Sequence, residues 1–167
     1  FKYKMLNTTA TVSGTDLSGN AYSGTESITF AVDTTAPTVT LTDTDSDNIV
    51  SNTDVVTITA TFSEIMAATP TISLSGVVSD VSMSATASDS VWTYTWTVST
   101  AITSTTATVS GTDLSGNAYS GTDSITFAID NTAPTVTLTD TDSDNIVSNS
   151  DVVTIKATFS ERMAATP

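Results

Sequence analysis

The chain has 167 residues, 18 acidic and 4 basic side chains, a formal charge of −14, and neither His nor Cys. Without those two residue types there is no zinc cluster, haem ligand, thiol nucleophile, Ser-His-Asp triad or disulfide framework. The cations, Lys2, Lys4, Lys156 and Arg162, are too few to neutralise a nucleic-acid backbone or dock on anionic lipid, and no apolar run approaches the roughly 18 residues of a membrane span.

Hydroxyls dominate the rest: 38 Thr and 24 Ser. Leu, Ile, Val and Phe total only 37 residues, close to the level at which a highly charged chain stays disordered, so pattern has to decide where composition does not. The pattern is a repeat. Residues 8–70 return as 105–167 with six differences in 63 positions: Glu26/Asp123, Val32/Ile129, Thr34/Asn131, Thr53/Ser150, Thr59/Lys156 and Ile65/Arg162. The 97-residue shift is domain-sized, well beyond the roughly 20–50 residues of a solenoid unit. Asp-Thr-Thr-Ala-Pro (33–37) and Asp-Asn-Thr-Ala-Pro (130–134) read as short, stiff linkers, because Pro fixes its own φ and pushes the preceding residue into an extended conformation. Cutting there predicts the C-terminal part of one repeat at 1–35, a complete repeat at 36–132, and the N-terminal part of the next at 133–167. The two partial repeats lack the counterpart of 71–97, and the chain lacks an initiator Met, so it reads as a window on a longer repetitive protein. Residues 1–7 do not fit the repeat and are given no functional weight.

Taken in chain order, the repeat predicts strands near 38–42, 55–63, 71–75, 77–84, 91–99, 105–110 and 123–130. The signal is a hydrophobic period of two. Val39 and Leu41 alternate with Thr38, Thr40 and Thr42. Val56, Ile58, Ala60 and Phe62 alternate with Thr57, Thr59 and Thr61. Trp92, Tyr94, Trp96 and Val98 alternate with Thr93, Thr95 and Thr97, which makes the aromatic stripe the centre of a core rather than a sugar platform. Ile125, Phe127 and Ile129 alternate with Thr126 and Ala128. Such runs are half-buried antiparallel strands with Thr on the wet face. The repeat differences agree: Thr59 becomes Lys156 at an outward position, and Val32 becomes Ile129 at an inward one. No segment has a 3.6-residue period. Seven short strands in about 97 residues predict an all-β fold of tandem immunoglobulin-like β-sandwiches.

Thr-Ala-Pro-Thr-Val-Thr-Leu (35–41), Val-Thr-Ile-Thr-Ala-Thr-Phe-Ser-Glu (56–64) and Gly-Thr-Asp-Leu-Ser-Gly-Asn-Ala (111–118) resemble the bacterial immunoglobulin-like (Big) repeat. The resemblance covers nearly all of the chain beyond residues 1–7. It implies the sandwich fold and a role as an extender module in the stalk of a large secreted adhesin or biofilm-associated protein at the bacterial surface. It also implies calcium at domain junctions.

The carboxylates fall in two constellations. Asp43, Asp45, Asp47, Ser51 and Asp54 occupy positions 1, 3, 5, 9 and 12 of a calcium-loop spacing, with Ile49 at the position that offers a backbone carbonyl. Asp140, Asp142, Asp144, Ile146, Ser148 and Asp151 repeat it. Asn48 replaces the usual Gly, and the twelfth residue is Asp rather than Glu. The competing reading is a polar connection built from Asx turns. The second constellation follows from topology. In an immunoglobulin-like order the loop after the second strand and the loop 113–117 lie at one end of the domain, beside the preceding linker. Asp33, Glu64, Asp113 and Asn117 then meet at one junction, and Asp130 and Glu161 are pieces of the next.

The expected function is therefore structural: an extender repeat, not an enzyme, stiffened by calcium, with neighbouring repeats of the same chain as partners. The alternative is a subunit of an extracellular filament or sheath, joined by strand complementation between identical chains. A glycan- or ice-binding surface made of outward Thr rows ranks third. A glycosidase carboxylate pair ranks last, because the acidic groups recur in copied loops rather than in one cleft.

Overall fold

The structure is a computed structural model that describes residues 6–99 and 101–163; the first five and last four residues, parts of the predicted segments 1–35 and 133–167, lie outside the described residues. The described residues form strands and no helix. The chain divides into two units, one ending at Asp130 and the other starting at Asn131.

In the first unit the strands are β1 (Leu6–Thr11), β2 (Ser27–Val32), β3 (Val39–Asp43), β4 (Ile49–Val50), β5 (Val55–Phe62), β6 (Thr71–Leu74), β7 (Val78–Ser82), β8 (Ser84–Ala85), β9 (Val91–Thr97), β10 (Ser104–Ser110) and β11 (Ile125–Ile129). Each of the seven predicted runs holds strand, six as a single strand and 77–84 in two pieces. Strands β3-β5-β9-β8 make one antiparallel sheet, and β4-β11-β10-β6-β7 make the other. The two pack as an immunoglobulin-like sandwich. The alternation read from the sequence is the reason. In β5, Val56, Ile58, Ala60 and Phe62 are buried while the Thr residues between them face outward. Trp92 and Trp96 of β9 point the same way, and the Trp96 ring lies 5.7 Å from Phe127 of β11 on the opposite sheet. Ile58, Ile72, Leu74 and Phe127 are fully buried. Each such side chain stabilises the sandwich by about 1.5–3 kcal/mol relative to exposure.

Two details depart from the expected strands. The run 77–84 is not one strand. Met83 is buried and its N–H donates to the Pro70 carbonyl (3.0 Å), which takes it out of the ladder. The chain therefore leaves β6 at the end of β7 and joins β9 as β8. The second departure is β4, inside the Asp-rich segment. It pairs in parallel with β11, so residues 43–54 carry the chain from the edge of one sheet to the edge of the other. The turn that allows this passes through Asn48 at φ 60°, a left-handed conformation that Asn tolerates. The free edge of β3 is partly closed as well: Asp123 Oδ2 accepts the Leu41 N–H at 2.7 Å, and the Asp123 N–H in turn donates to the Tyr119 hydroxyl at 3.0 Å.

Strands β1 and β2 form a separate antiparallel pair with the register of β10 and β11: Thr8 faces Phe30 as Thr105 faces Phe127. In the second unit, β12 (Val136–Asp140) and β13 (Ile155–Phe159) pair with the register of β3 and β5.

Candidate metal centre

The site is built on the loop between β10 and β11. Gly111-Thr-Asp-Leu-Ser-Gly-Asn-Ala-Tyr119 closes on itself: the Asp113 N–H donates to the Asn117 carbonyl (3.0 Å) and the Gly116 N–H to the Asp113 carbonyl (3.2 Å). Gly116 sits at φ 93°, where a side chain would be strained. The loop wraps round the Asp113 carboxylate. Oδ1 accepts the N–H groups of Ser115 and Asn117, both at 2.8 Å, and Oδ2 accepts the Asn117 side-chain amide at 2.9 Å.

Contacts with the end of β5 hold this loop in place. The Ala67 N–H donates to the Thr112 carbonyl (2.8 Å), and Met66 pairs with Asp113 in an isolated bridge. Gly111 has no Cβ because the Met66 methyl occupies that space, 2.6 Å from where the Cβ would stand. Met66 thereby brings the Ser63–Met66 turn, and Glu64 with it, beside Asp113. The linker arrives from the other side. The Asp33 carboxylate accepts the Thr35 N–H at 2.9 Å, and the Asp33 carbonyl accepts the Asn117 amide at 3.4 Å.

The outcome is that one carboxylate oxygen from each of Asp33, Glu64 and Asp113 lies within 4.8 Å of the other two. Asp113 is buried, 1 % exposed, and the other two are half-buried. No Lys, Arg or His occurs between residues 6 and 130, so no basic side chain of that segment offsets the three charges. The electrostatics carry the mark of this. Burial, the charges of Asp113 and Asp33, and a hydrogen bond with Asp33 push the Glu64 carboxyl above its ordinary value. At Asp113, burial also pulls upward, but the hydrogen bonds from Asn117, Ser115 and Gly116 outweigh it and hold the group below the ordinary carboxylate range.

The donor set fits a hard divalent cation. Calcium takes oxygen ligands at about 2.3–2.6 Å, so two oxygens on one ion stand at most about 5 Å apart. A mutual spacing within 4.8 Å meets that limit. Each carboxylate keeps acceptor capacity beyond its present hydrogen bonds.

The other predicted residues lie elsewhere. Asn117 turns its amide, a donor, toward the site and acts by holding Asp113 and the linker. Asp43, Asp45, Asp47 and Asp54 turn their carboxylates to their own loop: Asp43 Oδ1 accepts the Asp45 N–H (2.8 Å), Asp47 Oδ1 accepts the Ile49 N–H (3.2 Å), and Asp54 Oδ2 accepts both the N–H (2.8 Å) and the hydroxyl (3.1 Å) of Ser51. Ile49 itself belongs to β4. In the second copy Asp140, Asp144 and Asp151 make the corresponding bonds to Asp142, Ile146 and Ser148. There the Oδ2 atom of Asp142 is buried without a hydrogen-bond partner. Among the described residues, neither loop gathers three carboxylates as Asp33, Glu64 and Asp113 are gathered. Asp130 follows β11 at the end of the first unit, and Glu161 follows β13 in the second.

No family model matches the chain, and no curated protein matches it. A solved structure does. The chain is similar, at 26% identity with a TM-score of 0.41 over 80% of its length, to a Ca2+-stabilized adhesin that helps an Antarctic bacterium reach out and bind ice. It spans about a third, 34%, of that adhesin chain.

Sequence reasoning overlooked Asp123, which caps the edge of β3. Its only signal is its place two residues after Gly121, over which the Tyr119 ring folds.

Proposed function

We propose that this chain is a piece of a structural extender: tandem immunoglobulin-like repeats of a secreted bacterial surface adhesin, stiffened at a junction by calcium held between Asp33, Glu64 and Asp113. The observation that carries the reading is the convergence of a linker carboxylate with two carboxylates of the following sandwich. Asp33 belongs to the segment that leaves β2; Glu64 and Asp113 belong to the sandwich that follows. A cation ligated by all three ties the linker to the sandwich and removes a repulsion that otherwise drives them apart. Near-identical repeats suit this role, since a spacer needs length and stiffness rather than a unique site. Calcium modules outside cells bind with dissociation constants of about 10⁻⁴–10⁻³ M, so such a junction fills in the extracellular medium and empties in cytosol.

The test is thermal unfolding and small-angle scattering of the whole chain in 10 mM calcium and in chelator. At that concentration a site of such affinity adds about 1.4–2.7 kcal/mol. The reading expects a higher melting temperature and a longer, stiffer particle in calcium. If calcium and chelator give the same melting temperature and the same length, the stiffened-junction reading is wrong.

A further inference from the structure

The first and last strands of the middle repeat run side by side in one direction. Their contacts climb together: Leu41 meets Asp123, Ile49 pairs with Ala128, and Val50 with Ile129. The chain enters this seam through Pro37, before β3, and leaves it at Asp130, after β11. Entry and exit therefore lie at opposite ends of it. Tension applied through the two linkers slides one side of the seam along the other and loads the bonds across it together. Had the two sides been antiparallel, entry and exit would share one end, and the bonds would open one at a time.

The two halves of the seam are built differently. Near Asp130 it is a backbone ladder. The Ala128 N–H donates to the Asn48 carbonyl (2.8 Å) and the Asp130 N–H to the Val50 carbonyl (2.9 Å), with the Val50 and Ile129 side chains buried behind them. Near Pro37 there is no ladder. Strand β3 gives its even-numbered residues to β5: the Thr38 carbonyl accepts the Ser63 N–H (2.9 Å), and the Thr44 N–H donates to the Thr57 carbonyl (3.2 Å). The N–H groups of the odd-numbered residues face the edge. Residues 119–123 pass that edge, but a groove separates them from 36–39, and among the described residues no backbone hydrogen bond crosses it. One side chain does. Asp123 Oδ2 accepts the Leu41 N–H at 2.7 Å, and a bond to a carboxylate is about twice as strong as one between neutral groups. Tyr119 fixes the base of that side chain. Its hydroxyl accepts the Asp123 N–H at 3.0 Å, and its ring stands edge-on to Phe62 at 6.2 Å.

We propose that Asp123 is a force-bearing strut: its carboxylate replaces the missing ladder between β3 and the approach to β11, and with the β4–β11 bonds it resists shear when the repeat is pulled by its linkers. That tension runs through the chain at all rests on the extender reading. The strut itself requires neither that reading nor the cation, so it is tested in chelator, where a failure of the calcium centre leaves the result unchanged.

The experiment holds the full chain by its two ends at constant force in an optical trap. Opening of the middle repeat, residues 36–132, is recognised by an extension of roughly 300 Å. Asp123 is exposed, so Asp123→Ala leaves no cavity, and Trp92 and Trp96 emission verifies that the repeat is folded. This variant is expected to unfold about tenfold faster than wild type at the same force, because forced unfolding is governed by the unfolding rate and a bond broken on the way to the transition state is already missing. Ile72→Val is the control. It trims a fully buried side chain of β6, which takes no part in the seam, and lowers folding stability all the same. Its unfolding rate under force should stay within about twofold of wild type. An Asp123→Ala chain that unfolds at the wild-type rate overturns the proposal. So does an Ile72→Val chain accelerated as much as Asp123→Ala.

Discussion

Gly14–Tyr22 and Gly111–Tyr119 are the same nine residues in two surroundings. Their internal geometry is the same. Asp16 Oδ1 accepts the N–H groups of Ser18 (2.9 Å) and Asn20 (2.8 Å) and Oδ2 accepts the Asn20 amide (2.9 Å), as Asp113 does from Ser115 and Asn117. Gly19 and Gly116 share the left-handed conformation. In both loops these bonds, that of the Asn side chain foremost at Asp16, hold the carboxyl below its ordinary value. Only surroundings differ. Asp16 is exposed, whereas Asp113 is buried beside Glu64 and Asp33. The turn is thus encoded locally, by Asp, Gly and Asn at fixed offsets. The candidate metal centre is not. It exists where Met66, Glu64 and a preceding linker are packed against that turn.

The sharpest way to break this comparison is to remove the same side chain in both contexts. Phe127→Ala should cost the middle repeat about 3–5 kcal/mol, as emptying a core site does. Phe30→Ala should change the unfolding of that repeat by less than about 0.5 kcal/mol. Urea unfolding followed by Trp emission reads both. Equal losses would mean that the two hairpins have the same surroundings in solution.

The loops offer the next contrast. Asp113→Ala leaves two backbone N–H groups and the Asn117 amide without their acceptor beneath the linker, at a cost of about 1–3 kcal/mol. Asp16→Ala frees the same donors to water and should stay within about 0.5 kcal/mol. Calorimetric unfolding of the two variants separates these figures.

The smallest effect is electrostatic and has a definite sign. The folded-state pKa of Glu64 lies above its ordinary value of 4.5. Its contribution is therefore fully favourable below that value and is lost as pH rises through the raised one. Asp113 is opposite: its contribution is present above its ordinary value of 3.8 and is lost as pH falls through the depressed one. In chelator, Glu64→Gln should therefore stabilise the middle repeat slightly at pH 7, by about 0.5 kcal/mol, and the gain should vanish in acid. A pH series of melting temperatures checks it; a variant less stable than wild type at pH 7 in chelator would show that the carboxylates do not repel.

These contrasts also explain how much could be read in advance. Strands β3, β5, β9 and β11 were legible because alternation of Thr or Ala with Val, Ile, Leu, Trp or Phe is a property of each segment alone. The strand β4 was not, since Ile49–Val50 pairs only where β11 runs beside it and the identical Ile146–Val147 forms no strand. The break in 77–84 was hidden for a similar reason: it depends on where the Pro70 carbonyl meets Met83. The gathering of Asp33, Glu64 and Asp113 could be anticipated from loop positions at one end of an immunoglobulin-like order. The Asp43–Asp54 spacing could not be resolved that way. Alternate Asp residues serve a cation loop and a chain of Asx turns equally well, and the backbone N–H groups their oxygens accept depend on how the loop folds between β3 and β5.

The most direct measurement is a calorimetric calcium titration of the whole chain and of its Glu64→Gln variant. A centre built from Asp33, Glu64 and Asp113 predicts that the variant loses one bound calcium per chain while its Trp emission and its fold in chelator are unchanged. A variant that binds as many calcium ions as wild type, with the same affinity, would contradict it.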